Sequence, residues 1–281
     1  MCDGDVVSSA SMSDVSANLE PGSLLKLFNE HTGSYVHKWS NYFAAYERHL
    51  APYVGKSPLI FEIGVSKGGS LQLWKKYFGP GARIVGVDID PTCALLEEEQ
   101  VSVRIGAQGD QRFLETLLQE FGAPDIVIDD GSHLSRDIHA TFDVLYPAMK
   151  SSGVYVVEDL HTNYWADFGG GLYKPSTFIE RVKGLIDEIH AGRTRGSLLP
   201  TAFTSTLQSI SIYESIAVFT KAQLEVFTDV GRGQMVPGDP ETFATREGDV
   251  VRAYESLRNP RRELIRLAIR RMLRKIAEWV S

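Results

Sequence analysis

The chain has 281 residues, a formal net charge of −7 and two cysteines, Cys2 and Cys93, far apart in sequence. An acidic body lacks the basic face that general nucleic-acid binding needs, and two isolated cysteines supply neither a disulfide framework nor a thiolate metal site. No apolar run is long enough to span a bilayer and the start lacks the pattern of a secretory signal, so a cytoplasmic protein built around one large domain is expected.

Residues 1–22, rich in Ser, Asp, Val and Ala and closed by Pro21-Gly22, read as a disordered leader. From Ser23 to Leu50 apolar and aromatic residues recur at helical spacing: Leu24, Leu27 and Phe28, then Trp39, Tyr42, Phe43 and Tyr46. The intervening His31-Thr32-Gly33-Ser34 predicts a turn between two helices. Apolar runs then follow at 59–63, 83–87, 101–105, 125–128 and 153–157, separated by helical segments at Ser70–Phe78, Arg112–Phe121 and Arg136–Met149. Repeated βαβ units of this kind build a parallel sheet covered on both faces. After a further helix at 176–190, Leu207–Tyr213 and Ile216–Thr220 are separated by Glu214-Ser215 alone. That spacing predicts a tight hairpin and hence a reversed strand in the sheet. The expected division is a leader over 1–22, one α/β domain with a helical lead-in over 23–225, and an extension over 226–281.

The chemistry gathers where the strands end. Ile126–Ile128 runs into Asp129-Asp130-Gly131-Ser132-His133, and Val154–Val157 into Glu158-Asp159-Leu160-His161. Ligands of open parallel sheets bind at the carboxyl ends of the strands. Asp130, Glu158, Asp159 and His133 are thus placed to converge on one hard cation and one proton acceptor. Asp129, which precedes the proposed ligand, is either structural or a cofactor contact. The first strand ends in Glu62-Ile63-Gly64, and Gly68-Gly69-Ser70 opens a helix that Ser70 is placed to cap. This glycine spacing departs from the dinucleotide fingerprint and carries an acid where that fingerprint has none. Asp88, at the end of the second strand, stands where a carboxylate accepts two ribose hydroxyls. After the third strand, Gln108-Gly109-Asp110-Gln111 offers a carboxylate or amide to a purine amino group. Acids at these positions suit a cationic sulfonium cofactor better than a pyrophosphate.

Glu62-x-Gly64 with Gly68-Gly69-Ser70, Val87-Asp88, Gly109-Asp110-Gln111, Asp129–His133 and Glu158–Thr162 together resemble the metal-dependent sugar O-methyltransferases of the mycinamicin, macrocin and rhamnosyl type, over roughly residues 30–220. The resemblance implies a Rossmann-like, seven-stranded class I methyltransferase sheet with one antiparallel strand. It further implies S-adenosyl-L-methionine held by Glu62, Gly64, Ser70, Asp88, Gly109, Asp110, Gln111 and Asp129, and Mg2+ held by Asp130, Glu158 and Asp159. His133 is then the general base, and the acceptor a sugar hydroxyl of a glycosylated natural product or glycan. Two rivals remain open: a catechol-type O-methyltransferase, and a cofactor-binding protein that partners an antibiotic-pathway hydroxylase without transferring methyl.

The aromatic, glycine-rich loop 162–173 suits a lid that stacks on a sugar ring, with Tyr164 and Trp165 as acceptor contacts. His161 is open between a second base, a substrate contact and a loop histidine. His37-Lys38-Trp39 and Tyr42 match the position where the family covers cofactor and acceptor, although Trp39 and Tyr42 serve equally as an apolar docking face. From Arg258 to Lys275 eight Lys or Arg face one Glu, and Arg262, Arg266, Arg270 and Arg274 flank an apolar stripe. Such a basic amphipathic helix suits the inner membrane surface, a subunit contact in a homo-oligomer, or plain solvent.

Overall fold

The computed structural model describes residues 23–225, 228 and 230–233, so the expected leader and the basic C-terminal helix lie outside the described residues. Two short helices, α1 (Ser23–Asn29) and α2 (Tyr42–Leu50), lead into an alternation of β1 (Leu59–Ile63), α3 (Gly69–Phe78), β2 (Arg83–Asp88), β3 (Val101–Ile105), α4 (Gln111–Phe121), β4 (Ile126–Asp129), α5 (Ser135–Ala148) and β5 (Val154–Val157). Then come α6 (Phe178–Ile189), α7 (Ala202–Thr206) and the hairpin β6 (Leu207–Tyr213) and β7 (Ile216–Lys221). Every apolar run singled out in the sequence is a strand, displaced by at most a residue or two.

The seven strands lie in the order β3-β2-β1-β4-β5-β7-β6. The first five are parallel, and β7 pairs antiparallel with both β5 and β6. The chain winds outward through β1, β2 and β3 and then returns to β4, so the crevice between β1 and β4 is the topological switch point where ligands bind. Register fixes what appears there. Ile63 lies opposite Asp129, and Asp129 opposite Val157, so the next residues, Gly64, Asp130 and Glu158, emerge at one level of the sheet edge. The ladder continues through them: Asp130 N–H donates to the Ile63 carbonyl and Glu158 N–H to the Asp129 carbonyl, both at 2.9 Å.

Because successive strand residues face opposite sides, the sheet has two apolar faces. Ile60, Ile84, Ile126, Ile128, Val154 and Val156 pack with Tyr42 and Tyr46 of α2 and Trp74, Tyr77 and Phe78 of α3 in one core. On the other side Phe142 of α5 meets Tyr155 and Phe219 with ring centroids 5.0 and 4.9 Å apart. The lead-in is therefore integral to the core: Tyr42, Tyr46 and Leu50 are fully buried. Compactness divides the described chain into one unit over 23–183 and 207–223 and a second that includes 184–206. Among the described residues no helix is long and apolar enough to cross a membrane.

Two local expectations change. Ser70 does not cap α3, because Gly68, in the left-handed region at φ +78°, takes the cap position two residues earlier and leaves Ser70 in the first turn. The loop expected over 162–173 begins within two 3₁₀ turns, Leu160–Tyr164 and Ala166–Phe168. Gly64 is demanded by both torsion and space: its φ is +95° and a Cβ there would lie 2.1 Å from the Asp130 carbonyl oxygen. Gly64→Ala therefore lowers unfolding free energy by at least about 2 kcal/mol, which urea denaturation measures.

Candidate active site

Beyond the β1–β4 crevice opens a cavity of about 810 Å³, lined by Gly64, Ser70, Asp88, Gly109, Asp110, Asp130, His133, Glu158 and Asp159. Tyr35 to Trp39 of the lead-in close one side of it. Of the residues expected at the donor site, Glu62, Gln111 and Asp129 do not line this cavity. The Gln111 amide donates to Glu115 on the outer face of α4 at 2.7 Å. Asp129 is buried beneath the edge, where it accepts from Gln108 Nε2 at 2.8 Å and from the Tyr155 hydroxyl at 3.2 Å. Burial pushes its carboxyl up to about 7 against these two hydrogen bonds.

On the β1–β2 side, Asp88 Oδ2 accepts from the N–H groups of Val65 and Ser66 at 2.9 Å, and Oδ1 from Asp90 N–H at 2.9 Å. These bonds aim the carboxylate and leave Oδ1 the less committed oxygen. Asp110 caps α4, accepting from Arg112 N–H at 2.9 Å. Glu62 is fully buried behind the glycine turn, with the side chains of Ser70 and Trp74 beside its carboxyl. Burial, opposed by the Lys38 ammonium 4.0 Å away, pushes its carboxyl up to about 7.

The acids at β4 and β5 divide into two sets. Asp130, His133 and Asp159 each offer one ligand atom within 4.8 Å of the others, and their side chains are 22, 23 and 22% exposed. His133 Nε2 stands 3.6 Å from Asp159 Oδ2, in ionic but not hydrogen-bonding range. Both residues adopt left-handed backbone, at φ 56° and 53°, a conformation that concentrates at functional sites. His133 makes no cap for α5, whose N-cap is Leu134.

Glu158, in contrast, is buried and held. Lys38 Nζ donates to both its oxygens at 2.9 and 3.0 Å and to Asp130 Oδ2 at 2.7 Å, while the Tyr46 hydroxyl donates to Oε1 at 2.5 Å. Burial and the charge of Asp130 push the Glu158 carboxyl up, and Lys38 and Tyr46 oppose this. Burial disfavours the Lys38 ammonium, but Asp130, Glu158 and Glu62 outweigh it and hold the amine above its ordinary value. Tyr42 fixes Asp159, donating to Oδ1 at 2.7 Å and accepting from its N–H at 3.0 Å. The roles of Lys38, Tyr46 and Gln108 escape sequence reasoning. The sequence singles out Lys38 only within the cover over cofactor and acceptor and Gln108 only within the purine-side run, not as partners of buried acids.

The acceptor candidates form a row beside the cavity. Ring centroids run from Trp39 to His161 at 5.8 Å, His161 to Trp165 at 4.7 Å, Trp165 to Phe168 at 6.0 Å and Phe168 to His133 at 6.3 Å. Tyr164 and Trp165 are about half exposed. His161 Nδ1 lies 2.9 Å from Ser215 Oγ, which anchors the ring to the β6–β7 turn.

Sheet order, reversed β7 and a glycine-floored cavity at the switch point define a class I methyltransferase fold. Its likeness to the mycinamycin-pathway methyltransferase MycE, solved with Mg and SAH, has a TM-score of 0.65 at 28% identity, covering 83% of this chain and 60% of that one. Among curated relatives, the 8-demethyl-8-(2-methoxy-alpha-L-rhamnosyl)-tetracenomycin-C 3'-O-methyltransferase of Streptomyces olivaceus is 32% identical over 247 residues, 84% of this chain and 60% of its own. Demethylmacrocin O-methyltransferase of Streptomyces fradiae is 35% identical over 175 residues, 57% of this chain and 44% of its own. No family model matches the sequence. The chain spans 60% or less of the length of the curated relatives it matches, and across that shared region it is similar to these sugar O-methyltransferases.

Tyr46→Phe removes a hydrogen bond to a buried carboxylate and lowers unfolding free energy by about 1.5–3 kcal/mol, which chemical denaturation of the variant checks.

Proposed function

We infer that this domain transfers a methyl group from S-adenosyl-L-methionine to a sugar hydroxyl of a glycosylated natural product or glycan, with a divalent ion, Mg2+ foremost, at its acidic edge. The observation that carries this reading is the meeting of Asp130, His133 and Asp159 at the mouth of a glycine-floored cavity. The donor set fits the ion: the carboxylates of Asp130 and Asp159, with no thiolate beside them, suit a hard cation that keeps positions open for substrate, and the His133 imidazole stands next to them as a base. Charge supports the ion. Glu62, Asp130, Glu158 and Asp159 carry four negative charges when ionised, and Lys38 returns one. The excess of acids favours a cation at this edge.

Asp88 is the ribose ligand in this reading and Asp110 the adenine-side acceptor. Asp130 and Asp159 present their carboxylates to the ion, with Glu158 as third ligand. The ion, when bound, stabilises negative charge developing on the acceptor oxygen. His133 accepts the proton of the acceptor hydroxyl, and Asp159 beside it stabilises the imidazolium that results. The oxygen then displaces methyl from sulfur in line, while the aromatic row holds the sugar face and excludes water.

His133→Ala lowers kcat by about 10²–10⁴-fold while donor affinity stays within about two-fold; product mass on a glycoside panel and calorimetric donor binding measure the two, and equal losses in both rule out the base role. Turnover that survives EDTA rules out the ion. Asp88→Ala weakens donor binding by about ten-fold or more, as loss of hydrogen bonds from a charged acceptor requires; unchanged calorimetric affinity excludes the ribose assignment.

A further inference from the structure

Lys38 stands on the stretch between α1 and α2, where residues 31–39 form neither helix nor strand. Nothing in its own segment anchors its ammonium; three carboxylates from β1, β4 and β5 do. Its bonds to Asp130 Oδ2 and to both Glu158 oxygens occupy acceptor directions that those carboxylates would turn toward a shared metal ion. An ammonium and a divalent ion on the same carboxylates share their acceptor sites and repel each other as like charges. The neighbouring residue, Trp39, begins the aromatic row through its edge contact with His161.

The geometry points to Lys38 as a tethered competitor of the divalent ion, which couples ion binding to the seating of residues 31–39 and of Trp39 against the acceptor row. This rests on the ion site proposed above. Glu158 joins the ligands when Lys38 releases it, and the release frees Trp39 from His161. Linkage makes the effect reciprocal: whatever seats the segment weakens the ion by the same factor by which the ion unseats the segment. Ion loading thereby opens the row to a sugar ring, so that the ion precedes the acceptor.

The test uses the full chain with Mn2+ affinity read by calorimetry and by electron paramagnetic resonance. Lys38→Met keeps the length and removes the charge, and it should bind Mn2+ at least ten-fold more tightly than the native protein. In the native protein, Mg2+ titration should shift the tryptophan emission, and Trp39→Phe should abolish the shift. Equal or weaker Mn2+ binding by folded Lys38→Met overturns the competition while leaving the ion site standing, as does an emission shift that survives in Trp39→Phe. If neither native protein nor variant binds Mn2+ at millimolar concentration, the ion reading itself fails, and this inference with it. Should Lys38→Met fail to fold, the Trp39 response of the native protein decides alone.

Discussion

One lysine ammonium among buried carboxylates governs this structure. Taking a carboxylate out of water costs several kcal/mol even after the protein relaxes, and the edge of this sheet withdraws Glu62 and Glu158 almost completely. The compensating charge comes from Lys38, 92 residues from Asp130 and 120 from Glu158. The lead-in must therefore be held on the sheet before the acidic edge can form. That is why Tyr42 and Tyr46 are core residues with polar tips: each ring packs in the apolar layer while its hydroxyl reaches a carboxylate. Packing and electrostatics are thus solved together by α2 and the residues just before it.

The same arrangement separates the acids by duty. Glu158 and Glu62 lie inside, where burial makes their charge expensive and a cation essential. Asp130 and Asp159 lie at the mouth, beside His133, where an entering ligand meets them. A strand ending in Glu-Asp provides one of each: alternation turns Glu158 inward, and the left-handed backbone at Asp159 swings the next carboxylate outward.

How far the sequence discloses this follows from what each signal measures. Strand positions were legible because β-branched runs report burial on both faces, and the reversed strand was legible because a two-residue link such as Glu214-Ser215 permits only a hairpin. The acidic edge was legible because each acid directly follows such a run. Register did the rest, and register is fixed by the apolar pattern. What stayed hidden depends on contacts between distant segments. Nothing local to Lys38 says that its neighbours are Asp130 and Glu158, and nothing local to Gln108 says that it bridges Asp129 and the Ser132 N–H. Ser70 misled for a related reason: a serine after two glycines has the composition of a helix cap, but the left-handed torsion of Gly68 moves the start of α3 ahead of it.

The backbone at His133 and Asp159 shows why pattern alone cannot assemble such a site. His133 and Asp159 lie past the ends of β4 and β5, beyond the ladder that sets side-chain direction along a strand. Left-handed torsions at both positions break the alternation just past the hydrogen-bonded ladder, and the two side chains come to 3.6 Å. Non-glycine residues occupy this region at a cost of about 1–3 kcal/mol each, which Gly-rich turns would avoid. Glycine at either position would relax the chain and delete the functional group. The conformation persists because the Tyr42 hydroxyl holds both the N–H and the carboxylate of Asp159, and the Thr162 hydroxyl lies between the carbonyls of Asp159 and His133, at 2.7 and 3.2 Å. The strain at the two residues that face the cavity is thus carried by residues that do not take part in the chemistry, and those residues belong to the lead-in and to the 3₁₀ turn after β5.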